Sequence, residues 1–90
     1  MIRPLSRIHV SSEFARAYRK LPRNLKELAV KKEKMFRQNA FDHRLHTHKL
    51  KGALKDYWAY SITDSHRVLF RFIGSDEVIY FDIGTHDIYR

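Results

Sequence analysis

Six histidines and an excess of lysine and arginine are the side chains of this sequence with the most chemistry to offer. His48 stands in the run Thr47-His48-Lys49-Leu50-Lys51-Gly52, and His86 in Gly84-Thr85-His86-Asp87. Between them, Arg67 follows Asp64-Ser65-His66. An imidazole changes charge near neutral pH, so it can take or give a proton during a reaction. Guanidinium and ammonium groups stay cationic and donate several hydrogen bonds, which suits them to phosphate. Two histidines with one or two such cations are enough for proton transfer at a phosphate ester, and no metal is needed. The plainer alternative for each histidine is a solvated loop position. For Arg67 it is a cross-strand partner of a carboxylate, and for Lys49 and Lys51 ordinary solvation. His43, His46 and His48 also raise the question of a metal. His46 and His48 would share a face of an extended segment, but only Asp42 adds a carboxylate and the chain has no cysteine. That is a thin zinc signature, and no metal or cofactor is expected.

The charge has a direction along the chain. The formal charge is +8 and the pI about 10.1. Fifteen of the eighteen Lys and Arg precede Tyr57, against five of the ten Asp and Glu. From Tyr57 onward three basic residues face five acidic ones. A basic first part suits a polyanion, either nucleic acid or an acidic protein, although a solvated basic face kept for solubility has the same composition. With no cysteine, no disulfide braces the fold, which fits a reducing compartment. No apolar run reaches membrane-spanning length. A soluble cytoplasmic protein with no membrane partner is the expectation, and 90 residues leave room for one domain spanning 1–90.

Elements able to position these groups follow from periodicity. Ser6 to Val10 alternates polar and apolar residues as a short strand does. Ser11-Ser12-Glu13 offers capping hydroxyls and an early carboxylate to open a helix, with Phe14, Ala17, Tyr18 and Leu21 as its apolar stripe. Pro22 ends it and turns the chain into a second helix. There Leu25, Leu28, Ala29, Lys32, Met35 and Phe36 recur at helical spacing, and only Lys32 breaks the stripe. Asn39 to Lys55 is irregular and polar. Strand-like runs follow at Tyr57–Thr63, Arg67–Ile73 and Glu77–Ile83, separated by Asp64-Ser65 and Gly74-Ser75-Asp76 as turns. In the middle run Val68, Phe70 and Phe72 face one way, and Arg67, Leu69 and Arg71 the other. The pattern predicts an α+β fold, in which a two-helix hairpin covers an antiparallel meander joined by the N-terminal strand.

The string made by Thr47 to Gly52, Tyr57-Trp58, His66 to Phe70 and Asp82 to Asp87 resembles the RelE/ParE toxins, in particular their YafQ-like branch. Element order agrees, so the resemblance covers nearly the whole chain. It implies a RelE-like fold and the toxin of a type II toxin–antitoxin pair. Such a toxin would cut mRNA in the ribosomal A site and be held inactive by an acidic antitoxin. Cleavage of this kind needs the 2′-hydroxyl activated, the charge of the phosphorane stabilised and the 5′-oxygen protonated. The resemblance assigns His86 and His48 as catalytic histidines and Arg67 as the phosphate clamp. Lys49, Lys51 and Arg71 would follow the RNA backbone. Where the branch carries an acidic residue and an aromatic before that arginine, this chain has Ser65-His66. Where the namesake has a histidine on the first meander strand, this chain has Ser61. Asp64 and His66 are the second-tier candidates to fill the missing roles, with Tyr89 as a base-stacking or phosphate-supporting group. Two other functions share the fold: gyrase inhibition of the ParE kind, against which His48 and His86 weigh, and a basic binding module that has lost catalysis.

Overall fold

The computed structural model describes residues 4–85 and 88. Strand β1 (Arg7–Val10) leads directly into helix α1 (Ser12–Arg19). Ser11 makes that corner. Its hydroxyl accepts from the Phe14 amide at 3.1 Å, satisfying one of the free N–H groups at the helix start, and donates to the Phe81 carbonyl at 3.0 Å. Pro22 cannot continue α1 but pre-sets the backbone for α2 (Arg23–Gln38), which it caps without a side-chain hydrogen bond. Beyond α2 come β2 (His48–Lys49), β3 (Trp58–Ser61), β4 (Arg67–Phe72) and β5 (Glu77–Gly84).

The five strands form one sheet in the order β1-β5-β4-β3-β2. β2 to β5 pair antiparallel, while β1 lies parallel to β5, with Arg7 opposite Glu77 and Val10 opposite Tyr80. The sheet is therefore mixed, and the helices lie on one of its faces. Phe36 of α2, fully buried, is the centre of the core. Its ring stacks on Tyr60 at 4.4 Å and meets Phe70 edge-on at 4.9 Å. Val68, Phe70, Val78, Tyr80 and Ile83 complete the buried face, with Leu28, Met35 and Phe72 packed at its margin. Leu25, in the first turn of α2, is half-buried and outside this cluster. The phenols of Tyr60 and Tyr80 sit 2.9 Å apart in the core, and burial pushes the pKa of each upward, so both stay protonated.

Two features depart from simple alternation. β5 carries a bulge opposite Leu69 and Phe70: Leu69 pairs with Asp82 but Phe70 with Tyr80, so Phe81 has no opposite number. The extra residue lets Tyr80 and Ile83 both enter the core and leaves Asp82 on the other face. That other face is not bare either. Leu69, expected on the face opposite Val68, Phe70 and Phe72, is only 6% exposed, and Ala59 is fully buried. The rings of Tyr57 and Phe81, from either side of β4, meet edge to face at 5.0 Å on this face and roof it.

The stretch read as irregular is ordered by its partners. A 3-10 turn at His43–Leu45, the two-residue strand β2 and a second 3-10 turn at Gly52–Leu54 lie within it. Two residues are too few to display a period of their own; β2 exists because β3 offers it hydrogen bonds, with His48 opposite Ala59.

Candidate active site

The segment between α2 and β3 is bent back over the sheet by three anchors. Leu45 is fully buried, Phe41 lies against Trp58 and Phe72 with ring centroids 5.6 and 5.9 Å away, and the Thr47 hydroxyl donates to the Ala40 carbonyl at 2.6 Å. Within it Asp42 caps the His43–Leu45 turn, accepting from the Arg44 amide at 3.0 Å. The same carboxylate takes the Arg44 guanidinium in a two-pronged grip, Nε at 3.0 Å and Nη2 at 2.8 Å. These hydrogen bonds hold the Asp42 carboxyl far below the usual carboxylate range, and the Asp42 carboxylate raises the Arg44 guanidinium in return.

The turn ends at His46 in the left-handed region, φ 53° and ψ 40°. That conformation is uncommon outside glycine, and it costs roughly 1 kcal/mol. The carbonyl of His46 is then met by Nδ1 of His48 at 2.9 Å. A carbonyl only accepts, so Nδ1 must carry the hydrogen, and in the neutral ring Nε2 is left with the lone pair. The backbone around His46 thus selects the tautomer of His48 that can act as a base through Nε2.

On the sheet side, Ser61 ends β3 and Arg67 opens β4 directly opposite it; Gly84, ending β5, is the other neighbour of Arg67. The turn between β3 and β4 is stitched by the Thr63 hydroxyl, which accepts from the amides of Ser65 and His66 at 3.2 and 3.1 Å. Arg67 Nη1 donates to the Thr63 carbonyl at 3.2 Å and meets no carboxylate among the described residues.

Between these parts is a cleft of about 350 Å³ lined by Lys32, Arg44, His46, His48, Ser61, Thr63, Asp64 and Arg67, with Ile62 at its base. It brings together three residues expected from the sequence, His48, Arg67 and Asp64. His66 is not in its lining: its Nδ1 lies 3.2 Å from both the Thr63 and Ser65 hydroxyls, and it braces the turn. Lys49 alternates with His48 along β2 and is exposed, Lys51 is exposed ahead of the second 3-10 turn, and Arg71 is exposed two face-repeats beyond Arg67 along β4. None of the three lines the cleft. His86 and Tyr89 lie outside the described residues. Among those described, no three His, Asp or Glu side chains gather as metal ligands do. A second cavity of about 220 Å³ lies between the helices and the sheet, but apart from Glu33, which is paired with Arg37, and the phenols of Tyr18, Tyr60 and Tyr80 its walls are apolar.

Lys32, Arg44, His46, Ser61 and Thr63 were not singled out from the sequence as site residues. Lys32 carried a signal as the single charge in the apolar stripe of α2, Ser61 as the place of the namesake's histidine, and His46 only as part of a thin metal signature. Arg44 and His46 enter through the 3-10 turn, which has no periodic signature.

Several solved structures share this architecture. The YoeB/ParE toxin from Agrobacterium tumefaciens superposes with a TM-score of 0.75 at 19% identity, over 89% of this chain and 98% of that one. The toxin–antitoxin complex RelBE2 of Mycobacterium tuberculosis gives 0.74 at 15% identity, over 96% and 94%. The chain has the RelE/ParE toxin fold. YafQ from E. coli, at 0.66 and 13% identity over 91% and 94%, belongs to the same set. No protein-family model and no curated protein matches the sequence. Helices on one face of a mixed five-stranded sheet are thus the RelE/ParE arrangement, and the cleft opens where its β3–β4 turn meets the segment preceding β3. No helix among the described residues is long and apolar enough to cross a membrane.

Proposed function

We propose that the protein is the toxin of a type II toxin–antitoxin pair and a metal-independent endoribonuclease acting on mRNA in the ribosomal A site. The observation that carries this reading is the cleft itself: a histidine with a fixed tautomer and an arginine that pairs with no carboxylate among the described residues, drawn from two separate segments on a RelE/ParE fold. In the reaction, Nε2 of His48 takes the proton of the 2′-hydroxyl as its oxygen attacks the adjacent phosphorus. Arg67 stabilises the added negative charge on the phosphorane. His86 gives its proton to the departing 5′-oxygen, so the products are a 2′,3′-cyclic phosphate and a free 5′-hydroxyl. Asp64, at the cleft wall, is available to orient the imidazolium formed at His48.

Purified variants assayed for cleavage of mRNA programmed into ribosomes test this. His48→Ala is expected to slow cleavage by about 10²–10⁴-fold, the usual worth of a general base. Arg67→Ala is expected to slow it by roughly 10²-fold or more, as losing one electrostatic stabiliser does. Unaltered cleavage in both variants would take His48 and Arg67 out of the mechanism, and DNA damage in place of cut mRNA on expression would turn the assignment toward gyrase inhibition.

An acidic antitoxin is the proposed partner. The charge of +8 supports it, as does the RelBE2 relative, solved as a toxin–antitoxin complex. Association should be steered by charge and slow by about tenfold or more between low and physiological salt, measured by stopped flow. A rate indifferent to ionic strength would remove the electrostatic part of this proposal.

A further inference from the structure

Lys32 occupies a place on α2 where its surroundings call for an apolar side chain. The residues one turn away, Leu28, Ala29, Met35 and Phe36, all belong to the core or its margin. Lys32 is half-buried, yet no carboxylate pairs with it among the described residues; Glu27 and Glu33, the acidic residues of α2, are bound to Arg23 and Arg37 instead. The Lys32 ammonium has no partner charge among the described residues, and a methionine would fill the same stem volume without carrying one. Its position does make sense for a ligand, because Lys32 lines the cleft.

Arg44 lines the same cleft from the segment after α2. Asp42 engages its Nε and Nη2, which leaves three of the five guanidinium N–H donors unspent and fixes the plane in which they lie. Such a group is ready to bind an anion with little further ordering. Arg67 and His48 on the sheet side are used by the scissile phosphate in the reaction proposed above.

We propose that Lys32 and Arg44 form an anion subsite on the helical wall of the cleft, which takes a second phosphodiester of the RNA, flanking the one that is cut. The inference rests on the nuclease reading and adds a binding determinant to it: the cleft holds two phosphates, so a substrate with one phosphate binds poorly.

The experiment measures binding in place of cleavage. A fluorescent 2′-O-methyl RNA oligonucleotide, which cannot be cut because its 2′-oxygen is blocked, is titrated with wild type, Lys32→Met and Lys32→Arg at several salt concentrations, and melting temperatures are recorded alongside. Lys32→Met is expected to weaken binding roughly tenfold or more, as loss of a charged hydrogen bond does. Its dependence of log affinity on log salt should be shallower by about 0.7, the share of one contact to a single strand. Its melting temperature should hold or rise, and Lys32→Arg should keep most of the affinity. The proposal is overturned if Lys32→Met binds with wild-type affinity and slope. It is equally overturned if Lys32→Arg loses as much as Lys32→Met, or if binding and melting temperature fall together, since Lys32 would then serve packing. A wild-type protein with no affinity for the oligonucleotide overturns the subsite as well, whereas the nuclease reading falls only if ribosome-programmed mRNA is left uncut, so the two failures are distinct.

Discussion

His86→Ala is expected to lower ribosome-programmed mRNA cleavage by about 10²–10⁴-fold and to abolish growth arrest on expression, with the fold intact. The residue itself lies outside the described part of the chain, and the case is made by its frame. β5 ends at Gly84, whose strand partner is Arg67, and the chain reaches residue 86 two residues later. Ile88 donates its amide to the Thr85 carbonyl at 3.1 Å, and its Cγ2 would stand 2.9 Å from a Cβ added at Gly84. Thr85 and Ile88, the described residues that flank it in sequence, are thus bonded to each other next to Gly84, the strand partner of Arg67. A histidine in a strand-end loop contributes a few tenths of a kcal/mol to stability at most. Loss of a general acid changes rate by orders of magnitude. The two roles therefore separate in one pair of measurements, cleavage rate and melting temperature. Cleavage at the wild-type rate would take His86 out of the mechanism and leave protonation of the 5′-oxygen without a donor.

The largest expected effect on the fold comes from Phe70→Ala. Phe70 is fully buried in the middle of β4 and touches the rings of Phe36, Tyr60 and Phe72 at 4.9, 5.9 and 5.3 Å. Removing a ring so placed costs about 3–5 kcal/mol, from lost burial and from the cavity left behind. Domains of this size have roughly 5–15 kcal/mol in total. Urea unfolding should show the midpoint falling by roughly a fifth or more, or no folded baseline at all. A loss below about 1 kcal/mol would mean that the helices do not pack on the sheet through this ring.

Much of the framework is written in the sequence because it is periodic. The stripe of α2 and the alternation Val68-Phe70-Phe72 each state which face is buried, and the two faces meet at Phe36 and Phe70. Short turns between the last three strands leave little choice but a meander. What the sequence does not display is set by partners at a distance. β2 has two residues and takes its form from β3. Leu69 is buried on the outward face because Tyr57 and Phe81, twelve residues to either side of it, close over it. The candidate site divides in the same way. His48 and Arg67 were identified through their motifs, and Asp64 through its neighbourhood. Arg44 and His46 needed the 3-10 turn and the left-handed backbone to bring them to the cleft. His66, a candidate by position, is absorbed by the hydroxyls of Thr63 and Ser65.

The bulge in β5 has a bearing on how the length of this strand can vary. Tyr80 and Ile83 point into the core with two residues between them, where strict alternation allows one. Were Phe81 deleted, Tyr80, Asp82 and Ile83 would read inward, outward, inward without interruption, and the same side chains would reach the same face. Position 81 is in this sense neutral in phase: the chain can gain or lose a residue there without exchanging interior for surface. What the extra residue supplies is local, an aromatic cover for Leu69 and a carbonyl for the hydroxyl of Ser11. Length variation among chains of this architecture can therefore be absorbed at this point of β5, just ahead of the strand end that delivers Gly84 to Arg67.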